Sequence, residues 1–225
     1  MASTTTPPVP IRDAVTLILI RDRETEPAVL MGQRGKGAIF MPNKMVFPGG
    51  AVDDGDSNVS LARGLSRHCT DKLSRQSARS PETLAATAIR ELWEETGAVL
   101  GERATWVAPN PDWDAFAATG HQPSAAGLSF VFRAVTPPGR PRRFDARFLL
   151  GDAGTLASDP DAIPDATEEL SHLRWVPLSD AENLDLAFIT RLVLAEVASR
   201  LPSLSPPEAV PFVLNDSLKS EVQWL

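Results

Sequence analysis

The chain has 225 residues and a mass of 24.2 kDa, enough for one well-buried domain. Apolar residues supply 43% and charged residues 23%, a balance foreign to disordered chains that calls for a packed core. A net charge of -7 and a pI near 5.0 would repel a nucleic-acid backbone, so duplex nucleic acid is not an expected partner. Small phosphorylated ligands stay compatible, because a local basic patch or a bound metal can outweigh the average charge.

Residues 1–9 carry neither the basic start nor the apolar run of a signal peptide and read as a flexible lead-in. No stretch reaches the apolar length of a membrane span, and one cysteine, Cys69, cannot form an internal disulfide. No Cys or His cluster has zinc-site spacing, and a reducing, cytoplasmic setting is expected. Residues 14–20, rich in β-branched side chains, read as a buried strand, and 28–32 as its neighbour across a polar turn. A short strand at 45–47 then stops at Pro48-Gly49-Gly50, where the backbone can approach a ligand closely.

From about 54 to 80 the chain is polar, and reads as an inserted excursion with one short helix. Ser80-Pro81-Glu82 supplies an N-cap, a proline at the first helical position and an acid in the first turn, and Gly97 ends the helix it starts. Further on, 111–117 reads as a short helix, 128–135, 144–150 and 170–178 as strands, and 184–201 as a closing helix. The domain is taken as 10–205, and 206–225 as a tail without clear period. Val210, Phe212, Val213 and Trp224 suggest that this tail covers something, its own domain or a second subunit, so a homodimer is left open.

On a helical wheel Glu91, Glu94 and Glu95 share one face of the 81–96 helix, opposite Ala85, Ile89, Leu92 and Thr96. Like charges at i and i+4 destabilise a helix by about 0.2–0.5 kcal/mol unless something neutralises them. A bound cation would do so, whereas the plain alternative is a solvated acidic face. Glu82, Arg90, Glu91, Leu92, Glu94, Glu95 and Gly97 keep the spacing E-x7-R-E-U-x-E-E-x-G-U, and Phe47-Pro48-Gly49-Gly50 stands upstream. This pair of segments resembles the Nudix box.

Two departures stand out: Gly50 and Glu82 are separated by the excursion, which breaks the usual G-x5-E spacing, and the last aliphatic position is Ala98. An insertion inside the box is similar to a subgroup that includes the peroxisomal coenzyme A diphosphatases and their bacterial relatives. Val29-Leu-Met-Gly-Gln-Arg34, Met41-Pro42 and Arg143-Phe-Asp-Ala-Arg-Phe148 resemble flanks of that subgroup, so the likeness covers roughly 11–180.

The resemblance implies an α/β/α sandwich with a mixed β-sheet, and hydrolysis of a diphosphate linkage in a nucleoside diphosphate joined to another group, coenzyme A or its thioesters among the candidates. It implies Mg²⁺ or Mn²⁺ held by Glu91, Glu94, Glu95 and the Gly49 carbonyl, since hard cations prefer oxygen. Water would attack one phosphorus and a carboxylate would take its proton, with Glu91 in competition with Glu168 or Glu169. Arg90 would orient the box carboxylates, with Glu82 as its partner. Gly50 and the basic residues Arg140, Arg142 and Arg143 are candidates for the substrate's phosphates, although a solvated loop is the simpler reading of the arginines. Asp53 could reach a metal or simply make a turn. His68, His121 and His172 read as surface histidines, and Trp93 as packing against the insertion or the sheet.

Two other functions fit parts of this pattern: a nucleotide-sensing module without turnover, which lost box carboxylates would signal, and a prenyl-diphosphate isomerase, which would need Cys69 near the metal. The Ser-Gln-Pro-Trp-Pro-Phe-Pro run of the reduced-dinucleotide pyrophosphatases is absent. So is the arginine-and-glycine spacing of the other coenzyme A group.

Overall fold

The computed structural model describes residues 9–167, 169–215 and 219–225. In chain order its strands and helices are β1 (Ile11–Arg21), β2 (Ala28–Arg34), β3 (Met45–Val46), β4 (Gly49–Ala51), α1 (Arg67–Leu73), α2 (Pro81–Thr96), β5 (Gly101–Arg103), α3 (Asp114–Ala117), β6 (His121–Pro123), β7 (Ser129–Val135), β8 (Arg143–Asp152), β9 (Leu170–Pro177), α4 (Phe188–Arg200), β10 (Pro211–Asn215) and β11 (Ser220–Trp224).

β1 reads as an unbroken apolar run because it is buried on both faces. It pairs parallel with β8 and antiparallel with β2 and β4, in a mixed sheet ordered β11-β10-β7-β8-β1-β2-β3, with β9 against β2. Leu17, Leu30, Phe130 and Leu149 turn towards Leu84, Ile89 and Leu92 of α2 on one side. Ile18, Ile20, Val131 and Leu150 turn towards Val193 and Val197 of α4 on the other. The result is the expected three-layer α/β/α arrangement. The small β5–β6 pair lies outside the main sheet and has too few residues for a periodic signal.

The start of α2 follows its sequence signals: Ser80 Oγ accepts from Thr83 N at 3.1 Å, Pro81 opens the first turn, and Gly97 ends the helix at φ 70°. Trp93 packs against the core on the α2 side of the sheet, its ring edge-on to Phe116 at 5.9 Å in an aromatic cluster with Trp106 and Trp113.

The C-terminal segment differs from a surface tail. β10 pairs parallel with β7, β11 pairs antiparallel with β10, and Val210, Phe212 and Leu225 enter the core. Its five-residue strands show no period of their own because their partners, rather than their sequence, decide which side is buried.

The insertion is fastened to the body along its length. Cys69 and Leu73 of α1 are buried, and Lys72 Nζ donates to the main-chain oxygens of Glu208 and, at 2.6 Å, Leu225. Arg133 donates to the carbonyls of Arg75 and Gln76 at 2.9 and 2.8 Å, and Arg147 reaches Ser77 Oγ. Asp145, which pairs with both arginines, and Asp13, on Arg147, balance these buried cations. Within Arg143-Phe-Asp-Ala-Arg-Phe148, Arg147 holds the inserted segment directly and Asp145 supports it through Arg133. No helix among the described residues is long and apolar enough to cross a membrane.

Candidate active site

The glycine loop is held on β1 by three registered pairs, Ala14 with Ala51, Val15 with Gly50 and Thr16 with Gly49, so the turn into it is rigid. Its approach to α2 is very close. A Cβ on Gly50 would lie 2.4 Å from the Glu91 carboxylate, and one on Gly49, at φ 155°, would lie 2.5 Å from the carbonyl of Val15. The Gly49 N–H donates to Glu95 Oε2 at 2.7 Å. Two carboxyl groups one helical turn apart are thus laid against one stretch of glycine backbone.

A prediction follows at Gly50. Gly50→Ala needs the Glu91 carboxylate to move, so turnover is expected to fall about 100-fold while the protein stays folded, as one displaced catalytic group commonly costs. Steady-state kinetics beside a circular-dichroism melt checks this; unchanged turnover would mean that the position of Glu91 is not critical.

Arg90 sits beneath the acidic stripe with its side chain only 5% exposed. Its Nη1 donates to Glu91 Oε1 at 3.0 Å and to Glu94 Oε2 at 2.9 Å, and Nη2 donates to the carbonyl of Ala51 at 3.2 Å. The partner that fixes its plane is Asp56, gripped by Nε at 2.8 Å and Nη2 at 3.0 Å. Burial works against the charge on Arg90, but the Asp56, Glu91 and Glu94 carboxylates outweigh it and raise its pKa.

The expected Glu82 partner is corrected here. Glu82 lies exposed in the first turn of α2, while Asp56 comes from the single 3-10 turn after β4 and is itself buried. Asp56 stands six residues after Gly50, which is the G-x5-E spacing with aspartate for glutamate. The box is therefore intact up to its acid, and the excursion enters after it. Thr87 Oγ1 at 2.8 Å and the Asp53 N–H at 3.1 Å complete the hydrogen bonds to Asp56.

Burial raises the pKa of Glu91 to about 7, against the pull of Arg90 and with the help of Glu94 and Glu169. Glu95 is pushed up to about 8, again chiefly by burial; the Gly49 N–H and Arg34 oppose the shift, Glu91 and Glu169 add to it. Glu94 moves in the same direction from the same cause. Glu169 and Arg34 are thereby placed in the electrostatic surroundings of the two glutamates. Arg34 was legible only as a flanking residue. Glu168 lies outside the described residues.

These shifts set the stability of the metal-free chain. Both carboxyls keep a proton to higher pH when folded than the ordinary 4.5, so the folded form binds the extra protons between about 4.5 and 8. Stability is full below that window and falls as pH rises through it. Without metal, the melting temperature is expected to drop on the order of 5–10 °C from about pH 5.5 to pH 8.5, and millimolar Mg²⁺ should restore it at the alkaline end. Melting curves with chelator and with Mg²⁺ measure this; a metal-free curve that rises with pH would contradict the arrangement.

Other sequence candidates fall outside this cluster. Arg140 and Arg142 are exposed in the turn before β8, and no contact among the described residues links either to the carboxylates. Arg143 donates to the carbonyls of Thr136 and Asn215 at 2.9 and 3.0 Å, so its guanidinium serves the strand ends. Asp53 stays at the rim, more than half exposed and 3.6 Å from Arg90 Nη2. His68 Nε2 lies 2.6 Å from the carbonyl of Pro207, a structural contact. Cys69 is buried in α1, with Sγ 3.6 Å from the Leu128 carbonyl and 3.5 Å from the Phe130 N–H, far from the role an isomerase would require of it.

Among the described residues, no three of the acidic, Cys or His side chains already form a ready-made metal cluster. The reason is visible: Glu94 is turned to Arg90, and Glu95 to the Gly49 N–H. Glu91, which shares Arg90 with Glu94, and Glu95, one helical turn on, nonetheless suit a hard cation in the chemistry of their oxygens.

The NUDIX domain model matches residues 77–197, more than half of the chain. The chain belongs to the Nudix family. A "Putative nudix hydrolase 7" of Caenorhabditis elegans is 33% identical over 178 residues, covering 73% of this chain and 51% of that protein, so the chain spans about half the length of this curated relative. A crystal structure of a NUDIX hydrolase from Alicyclobacillus acidocaldarius aligns with a TM-score of 0.61 at 30% identity, over 88% of this chain and 99% of that one. MutT protein from Methanosarcina mazei Go1, at 14% identity and a TM-score of 0.51, shares the fold over 88% of this chain. In this Nudix domain the helix of the box is α2 and the glycine loop is 47–50.

Proposed function

We propose that the chain hydrolyses the diphosphate linkage of a nucleoside diphosphate joined to another group, with Mg²⁺ or Mn²⁺ held by Glu91, Glu95 and the Gly49 carbonyl. Glu94 joins that set when it turns from Arg90. Such a cation, when bound, offsets charge on the phosphoryl oxygens and lowers the pKa of water. The chain's residues do the rest. Arg90 holds Glu91 and Glu94 at fixed positions, Arg34, whose charge acts on Glu95, is the cation available to the substrate's phosphates, and Glu169, or Glu91 where it does not hold the cation, accepts the proton of the attacking water. The pKa of about 7 belongs to Glu91 without metal, and a cation held beside it would lower that value and keep the carboxylate ionised.

The observation that carries this reading is the placement of two buried carboxyls on glycine backbone over a fixed arginine. A solvated acidic face would have no reason to bury Glu95 to 2% exposure. Coenzyme A or one of its thioesters is the favoured substrate, supported by the insertion after Asp56, and a reducing, cytoplasmic setting accords with the free Cys69.

The test is product release from nucleoside diphosphate derivatives, including coenzyme A and its thioesters, with Mg²⁺, with Mn²⁺ and with chelator. Metal-dependent cleavage supports the hydrolase and ranks its substrates. Binding without cleavage across the panel would replace it with a nucleotide-binding module.

A further inference from the structure

β11 closes one end of the main sheet, and among the described residues nothing pairs with its outer edge. Val210 and Leu225 exchange N–H···O bonds at 3.1 and 3.0 Å, which fixes the alternation along the strand. Gln223 and Glu221 therefore turn their backbone groups towards β10, while Ser220, Val222 and Trp224 turn theirs outward.

Native sheets blunt such edges with proline, bulges or a covering segment. Here residues 220–224 contain no proline, and their register with β10 runs without a shift. The side chains sharpen the point. Val222 is 58% exposed and Trp224 64%, and both lie on the face that also carries Val213, so the edge is apolar as well as open.

We propose that β11 pairs antiparallel with β11 of a second copy of this chain, about a two-fold axis at Val222. An axis through a residue sets outward-facing residues of the two edges opposite one another, and one at Val222, the central of three, lets all three exchange hydrogen bonds. In that register Val222 meets Val222 of the second copy, and Ser220 meets Trp224. Glu221 meets the amide of Gln223, so carboxylate opposes amide on both sides of the axis. An axis at Glu221 would set two glutamates against each other and, within β11, would pair only Ser220 with Val222 through outward groups. Val222, Trp224 and Val213 from both copies then form one apolar patch across a continuous sheet. The active site, on β4 and α2, lies away from this edge, so pairing leaves catalysis untouched.

Sedimentation equilibrium of the full chain from about 1 to 200 μM tests this, a range that brackets the micromolar affinity expected of one strand edge. The wild type should dimerise reversibly. Val222→Lys places two cations across the axis, and Val222→Pro removes an outward N–H that β10 does not use. Each should weaken the dimer at least about 30-fold with turnover per chain unchanged, and having two such variants guards against one that fails to fold. A wild type that remains monomeric throughout, or a dimer that both variants leave intact, overturns the proposal.

Discussion

Changing Glu95 to glutamine is expected to lower turnover about 10³-fold, while the metal-free protein folds and melts as before or at a slightly higher temperature. The two halves of this expectation have the same origin. Glu95 is buried and its pKa is about 8, so near neutral pH the metal-free chain already carries it mostly protonated, and an amide imitates that state. The glutamine carbonyl can still accept from the Gly49 N–H, which keeps the loop in place. What the amide lacks is the charge needed opposite a cation. Turnover measured with saturating metal, beside melting curves with chelator, separates the halves. A variant with near-normal turnover would remove Glu95 from the metal set; a collapsed fold would make it a structural residue.

Asp56 is expected to give the other large effect, and of a different kind. Asp56→Asn keeps the shape of the side chain but leaves Arg90 without its bidentate anion, in a place where water cannot compensate. Breaking a buried charge pair from one side costs about 3–5 kcal/mol, enough to lower the melting temperature by on the order of 10 °C. Arg90 would then swing further towards Glu91 and Glu94, and kcat should fall about 10–100-fold, as for other residues that orient metal ligands. KM should change little, because Asp56 touches no substrate. A matching rise in KM with kcat preserved would show that Arg90 is oriented by other means.

These two residues also mark how far the sequence could be read. Glu95 belongs to a stripe that helical periodicity exposes, and the packing of Leu84, Ile89 and Leu92 onto the sheet follows from the same period. Asp56 was hidden by a coincidence of counting. Eight residues before Arg90 stands Glu82, which fits the pattern on paper, yet that position is an exposed first turn on the wrong part of the helix. Counting forward from Gly50 would have reached the right acid. Glu169 was legible as a possible base of the site, whereas Arg34 was legible only as a flanking residue and not as a neighbour of Glu95, since β9 folds back on β2 to bring the two ends together. Positive charge at 140–143 spoke for phosphate binding, but in the folded chain Arg143 is spent on two carbonyls. The C-terminal strands were opaque because a five-residue strand borrows its pattern from the partner it joins.

The place where the excursion leaves and rejoins the box has a bearing on how such a protein can vary. Asp54 and Arg79 approach to 3.9 Å, and Asp56 touches Thr87, so the inserted segment departs and returns at neighbouring points. A loop with fixed, adjacent ends can change length at small cost, roughly 0.6 kcal/mol for each doubling. The catalytic frame is thus insulated from whatever is spliced in at this junction. In this chain the splice has since become indispensable elsewhere, since α1 holds Glu208 and Leu225 through Lys72. Shortening the segment would spare the acid and its arginine while letting the far end of the sheet come undone.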